Sequence, residues 1–165
     1  MNNYRYNERA NQTSRDMNRN NTVPNRSNID EEVRKFIAGE KVDPEKLLGY
    51  EGSVRGFINS DRSKDDTSHQ IRKFYSDIVD MWEISGKSSG QQENPEIPAL
   101  KIRLAMMEAR LNYAKERKLI SDEVFNLLRK SISTVNKESG EKWVQCLGRF
   151  KTFFEAFIAY SYKGR

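Results

Sequence analysis

From residue 67 onward, apolar side chains return every three or four positions with charged or polar residues between them. That is the period of amphipathic helices rather than of half-buried strands. Ile71, Phe74, Tyr75, Ile78 and Trp82 share one side of a helix that Thr67 or Ser68 can cap. A long helix from about Ala99 to Lys118 carries Leu100, Leu104, Met107, Leu111 and Ala114 as its core stripe. Ser121 opens a helix with Val124, Phe125, Leu128, Ile132 and Val135 on its inner side. The last helix runs from near Ser139 to about Tyr162, with Val144, Leu147, Phe150, Phe154, Phe157 and Ile158 facing in. The breaker-rich stretch Ser85 to Pro98 predicts a flexible connection.

The first third of the chain has a weaker period and more punctuation. Asp30 can cap a short helix carrying Val33, Phe36 and Ile37, which Gly39 ends. Asp43 followed by Pro44 is a cap with proline at the first helical position, opening a turn with Leu47 and Leu48 that Gly49 closes. Tyr50 to Asn59 holds two further glycines, and Ser60 to Asp66 predicts a loop. No segment alternates as a strand would, and no repeat recurs at a fixed period. The expected fold class is all-α: a compact bundle of about four main helices plus short N-terminal helices. Three stretches follow: a tail (1–28), short helices and a loop (29–66), and the bundle (67–165).

Charge sharpens this division. Residues 1–28 hold five arginines against Glu8 and Asp16, together with nine asparagines and few apolar residues. Such a segment cannot bury enough surface to offset ordering entropy, so it is expected to be a disordered basic tail. Residues 29–66 carry seven basic and ten acidic side chains, and residues 67–165 carry seventeen and twelve. The sum is the net charge of +5, a basic body with a basic tail that suits a polyanionic partner. A domain of 165 residues can build a core without disulfides. The single cysteine, Cys146, suits a reducing compartment. The N-terminus has no apolar signal region, and no apolar run nears the roughly 18 residues a membrane helix needs. The expected location is the cytoplasm.

Catalytic chemistry has little to stand on. His69, the lone histidine, sits in a first helical turn with no second histidine or cysteine to share a metal. Asp65 and Asp66 read as solvated charges beside a helix start, Cys146 as a buried thiol, and no phosphate-binding glycine loop occurs. No catalytic residue, metal or cofactor is expected.

The basic residues say more. Arg103, Arg110 and Arg117 are seven apart and form one stripe, with no acidic neighbour at three or four residues. Tyr113 lies on the same side, a flat surface for a base or ribose. Guanidinium groups with an interleaved aromatic suit a phosphate backbone. The alternative is that these arginines lie on the bundle and pair with carboxylates of other helices. Gln70, Arg72 and Lys73 project from the first turns of their helix, where backbone N–H groups also favour anions, although Asp77 can pair with Lys73 at i,i+4. The aromatic run Phe150, Phe153, Phe154, Phe157 and Tyr160 spreads too widely to face one core. Either the helix is buried on most sides, or Phe153 and Tyr160 meet a neighbouring copy.

These same segments resemble a known family. Thr-Ser-x-Gln-Ile-Arg (Thr67 to Arg72), Tyr-Ala-x-x-Arg (Tyr113 to Arg117) and Phe-x-x-Phe-x-Glu-Ala-x-x-Ala-Tyr (Phe150 to Tyr160) occur in the order found in the small subunit of type III-A CRISPR–Cas effector complexes, the Csm type. His69, Lys115 and Glu116 depart from that pattern, and residues 1–60 lie outside it. The resemblance implies a small non-catalytic helical protein that stacks head to tail with copies of itself in an RNA-guided ribonucleoprotein. Its implied partners are the guide RNA, the target RNA and the other effector subunits, with base pairing supplying specificity. Gln70, Arg72, Arg110 and Arg117 are the contacts it implies; Lys73, Arg103 and Tyr113 come from the charge pattern alone. Two other readings are a helical DNA-binding regulator, using the Lys118 to Ser121 turn, and a protein–protein adaptor. Asp122 and Glu123 would face phosphates in the regulator.

Overall fold

Seven helices and no strand make up the residues that the computed structural model describes, 26–60, 67–87 and 95–162. In chain order they are α1 (Arg26–Ala38), α2 (Pro44–Leu48), α3 (Ser53–Ser60), α4 (Thr67–Lys87), α5 (Ile97–Glu116), α6 (Asp122–Asn136) and α7 (Gly140–Ser161). The all-α bundle expected from the pattern is the observed architecture. Of the expected tail, residues 1–25 lie outside the described residues, as do 61–66 of the expected loop, and Arg26 to Asn28 form the start of α1.

α7 is the axis of the bundle. It packs against α4 most extensively and also against α1, α3 and α6. Trp143, Cys146, Leu147, Phe150, Phe153, Phe154 and Phe157 are all buried on it within an arc of about a third of its circumference, while Gln145, Thr152 and Ala159 on the opposite side are exposed. The rings of Phe150 and Phe154 stack 5.7 Å apart, and Phe157 meets Phe57 of α3 at 6.3 Å. Such pairs add packing energy beyond their buried area. α5 lies farther out, resting mainly on α6 and α4.

Local chemistry explains where several helices stop. Gly39 adopts φ +79°, and the Glu40 N–H reaches the Lys35 carbonyl while the Gly39 N–H reaches that of Phe36. That double bond is the glycine-terminated helix end anticipated there. Asp43 accepts from the N–H groups of Glu45 and Lys46, so the Asp-Pro cap of α2 forms as expected. Ser121 caps α6 through the Val124 N–H. The end of α5 repeats the Gly39 geometry with a lysine: Lys118 sits at φ 57°, with bonds from Lys118 to Lys115 and from Leu119 to Ala114.

Four expectations need correction. Asp30 does not cap α1, because the helix starts four residues earlier; it sits inside the helix and pairs with Lys130 of α6. Trp82 is 40% exposed while Met81 is fully buried, because the inward positions of α4 are 71, 74, 78, 81 and 85. The connection expected from Ser85 is shorter, since α4 continues to Lys87 and α5 begins with the buried Ile97. Phe153, offered as a possible contact between copies, is completely buried beside Phe150 and Phe157, leaving no surface for a neighbour.

Candidate nucleic-acid interface

The helical spacing of α4 puts Gln70, Lys73, Asp77 and Asp80 along one stripe, and that of α5 does the same for Arg103, Arg110 and Arg117. The two stripes meet. The Arg103 guanidinium lies 3.3 Å from Asp77 and 3.4 Å from Asp80, and Arg110 lies 2.6 Å from Asp77. Residue numbers rise along α5 as they fall along α4, so the helices run antiparallel. Arg117 and Tyr113 therefore lie toward the same end of the pair as Lys73 and Gln70.

Of the two readings left open for the arginines, pairing with another helix is what Arg103 and Arg110 do, and Asp77 is the shared partner. Their side chains remain 36% and 47% exposed. Ion pairs this open to water contribute about 0–1 kcal/mol each. Each guanidinium carries five N–H donors, of which the carboxylates engage only some. Asp77 thus orients two cations without exhausting them. Across the two stripes, Lys73 and three arginines face two aspartates, which leaves the seam cationic.

Tyr113 is 61% exposed, and Arg117 bends back along the helix to donate to its hydroxyl at 3.2 Å, with the guanidinium 5.6 Å from the ring centre. The expected interleaving of an aromatic with arginines is therefore present on the surface. Lys73 is exposed and has no carboxylate partner among the described residues, since Asp77 is committed to α5. Gln70 is half-buried. Arg72 points elsewhere: it lies 5.4 Å from the Tyr162 ring at the end of α7, away from the α4–α5 stripe. Tyr160 gives its hydroxyl to the Leu48 carbonyl at 2.8 Å, tying α7 to α2.

Sequence reasoning missed the orienting role of Asp77 and Asp80. The signal available was an acidic pair three residues apart on α4, matched to arginines seven apart on α5. Arg149, left unassigned by the sequence, donates to the Ile37 carbonyl at 3.3 Å and so closes the end of α1. Burial pushes the neighbouring Cys146 thiol above its ordinary value, keeping it protonated and inert. A second polar groove, of about 650 Å³, lies between α1 and α6 and mixes both signs, with Arg129, Lys130 and Lys137 facing Asp30 and Glu31. On its rim Arg34 bonds both Glu31 and Glu40 and holds their carboxyls below the usual glutamate range. Among the described residues no cluster of acidic, histidine or cysteine side chains is placed to hold a metal. No helix among them is long and apolar enough to cross a membrane.

The fold is an all-α bundle that carries this helix pair on its surface. Residues 56–164 match the family described as Csm2 Type III-A, about two-thirds of the chain. The chain belongs to that family, the small subunits of type III-A CRISPR effector complexes. No curated protein and no solved structure matches it.

Proposed function

We propose that this chain is a non-catalytic structural subunit of an RNA-guided type III-A effector ribonucleoprotein, active in antiviral defence in the cytoplasm. It stands along the complex beside the other subunits and copies of itself, and it holds the backbone of the guide and target RNA. The α4–α5 seam supplies the contacts: Lys73, Arg103, Arg110 and Arg117 for phosphates, Gln70 as a hydrogen-bonding partner, and Tyr113 for a base or ribose. Arg72, on another side of α4 beside Tyr162, adds a further contact. The observation that carries this reading is the line of half-exposed arginines on α5, two oriented by Asp77 and the third set against Tyr113. Specificity resides in base pairing, so the isolated chain binds unrelated RNAs alike.

Replacing Arg103, Arg110 and Arg117 together with alanine is the test. Loss of three phosphate contacts flattens the dependence of log K on log salt by roughly two to three units. A folded variant with an unchanged slope would exclude this seam as the RNA face. Asp77→Asn is the converse: removing the competing carboxylate strengthens binding by about two- to fivefold with the same RNAs. Weaker binding would mean that orientation by Asp77 outweighs its charge.

A further inference from the structure

Three tyrosines of this chain stand out into solvent: Tyr50 is 67%, Tyr113 61% and Tyr162 65% exposed. Each has a guanidinium set against its ring. Arg55 lies 3.5 Å from the ring centre of Tyr50, Arg72 5.4 Å from that of Tyr162, and Arg117 5.6 Å from that of Tyr113. The less exposed tyrosines among the described residues are used differently: Tyr75 packs on Phe154, and Tyr160 bonds the Leu48 carbonyl. Tyr113 belongs to the α4–α5 seam. The other two flank the Tyr160–Leu48 link, Tyr50 two residues past Leu48 and Tyr162 two past Tyr160. Their α-carbons are therefore within roughly 25 Å of each other, at the end of the bundle where α7 stops.

This end adjoins the seam. α4 begins here, and its consecutive residues Lys73 and Arg72 are about 100° apart around the helix, one toward the seam and the other toward Tyr162. Arg72 is exposed and has no carboxylate partner among the described residues. Tyr50 is presented by a tight turn. The Gly52 N–H reaches the Gly49 carbonyl at 2.8 Å, and a β-carbon on Gly52 would come within 2.7 Å of the Leu47 carbonyl oxygen. Arg55 covers one face of the Tyr50 ring and also donates to the Tyr50 carbonyl at 2.9 Å, which holds the ring and leaves its other face open. The Glu51 carboxylate, 3.8 Å from Arg55, extends into solvent.

We propose that this end of the bundle is a stacking site for single-stranded RNA, in which Tyr162 and Tyr50 each take one unpaired base and Arg72 holds the phosphate backbone between the seam and Tyr162. The site continues the path of a strand leaving the α4–α5 seam, and it rests on the RNA reading of that seam. A base can use an open aromatic face only after leaving its helix, so the site takes single strands and not duplexes. A ring already held by a guanidinium loses little freedom when a base settles on it. The span between the rings is short, about four nucleotides. A packed protein surface fits the two rings less well. Ile102 and Met106, the large exposed apolar side chains without rings, are on α5, whereas these tyrosines are bordered by Arg55, Arg72 and Glu51. Charged residues are depleted from the cores of protein interfaces. Tyr50 and Arg55 precede residues 56–164, so one of the two platforms lies outside the part that matches the family.

Fluorescence anisotropy measures binding of the full chain to labelled oligouridine of about twenty nucleotides, alone and paired with oligoadenosine. The wild type is compared with the double variants Tyr50→Ala/Tyr162→Ala and Tyr50→Phe/Tyr162→Phe, and with the triple arginine variant of the seam. The alanine pair keeps its helicity and lowers affinity for the single strand at least about tenfold, while affinity for the duplex is unchanged. Its salt dependence keeps the wild-type slope, because no phosphate contact is lost. The phenylalanine pair retains both rings and binds like the wild type. An alanine pair that binds the single strand as tightly as the wild type overturns the proposal. So does one that loses single strand and duplex alike, or a phenylalanine pair that loses as much as the alanine pair. In those cases the seam reading still stands if the triple arginine variant binds less than the wild type. A wild type that binds neither RNA overturns both. An alanine pair with full RNA affinity that fails to enter the effector complex assigns this end to a protein partner, which also overturns the proposal.

Discussion

α7 and α5 are both apolar around much of their circumference, yet only α7 has its apolar surface covered by the chain itself. α7 packs against α1, α3, α4 and α6, and every phenylalanine on it is buried. α5 is covered on one side by α6 and α4, and its other side presents Ile102, Met106 and Tyr113 to solvent. Apolar helix surface is stabilised only where it finds a place to leave water. For α7 that place is the core of one chain; for α5 only half of the requirement is met within it.

The comparison breaks most sharply under one substitution made twice. Phe153→Asp places an unpaired carboxylate in the aromatic core and costs about 4 kcal/mol or more, enough to unfold a marginal domain. Ile102→Asp puts the same group on the outer side of α5 and changes stability by less than about 1 kcal/mol. Thermal unfolding followed by circular dichroism measures both. Equal losses would mean that the outer side of α5 is core after all; a folded Phe153→Asp would remove α7 as the axis of the bundle.

Helix ends sharpen the contrast with smaller effects. Gly39 is pressed against α7: a β-carbon there would come within 2.8 Å of the Arg149 guanidinium, and its φ of +79° already disfavours one. Gly39→Ala should cost about 1–2 kcal/mol by strain and by displacing Arg149 from the Ile37 carbonyl. At the end of α5 the same turn is made by Lys118, exposed and at φ 57°. Lys118→Gly should raise stability by about 0.5–1 kcal/mol. Chemical denaturation resolves the opposite signs, and a destabilised Lys118→Gly would show that the lysine side chain holds that turn.

Much of this molecule is readable without coordinates. The inner stripe of α5 is buried at each of Leu100, Leu104, Met107, Leu111 and Ala114, and the Asp43-Pro44 cap, the Ser121 cap and the Gly39 stop stand where the residues place them. These features depend on neighbours within a turn or two, where spacing and side-chain type already decide the outcome. The arginine row was legible for the same reason, since a helix alone aligns residues seven apart.

What the sequence could not decide was always a choice between partners distant along the chain. Nothing near Arg103 or Arg110 announces Asp77, because that pairing joins residues 26 and 33 positions apart. Nothing in α4 prefers Met81 to Trp82 until Gly148 of α7 opens room for the indole to lie along its surface. Phe153 and Ile102 look equally fit for a core or an interface, and the helices packed around each decide between them. Periodicity determines that a face is apolar, while only the tertiary arrangement determines what covers it, because hydrophobic burial has no direction and takes whichever surface the fold brings near.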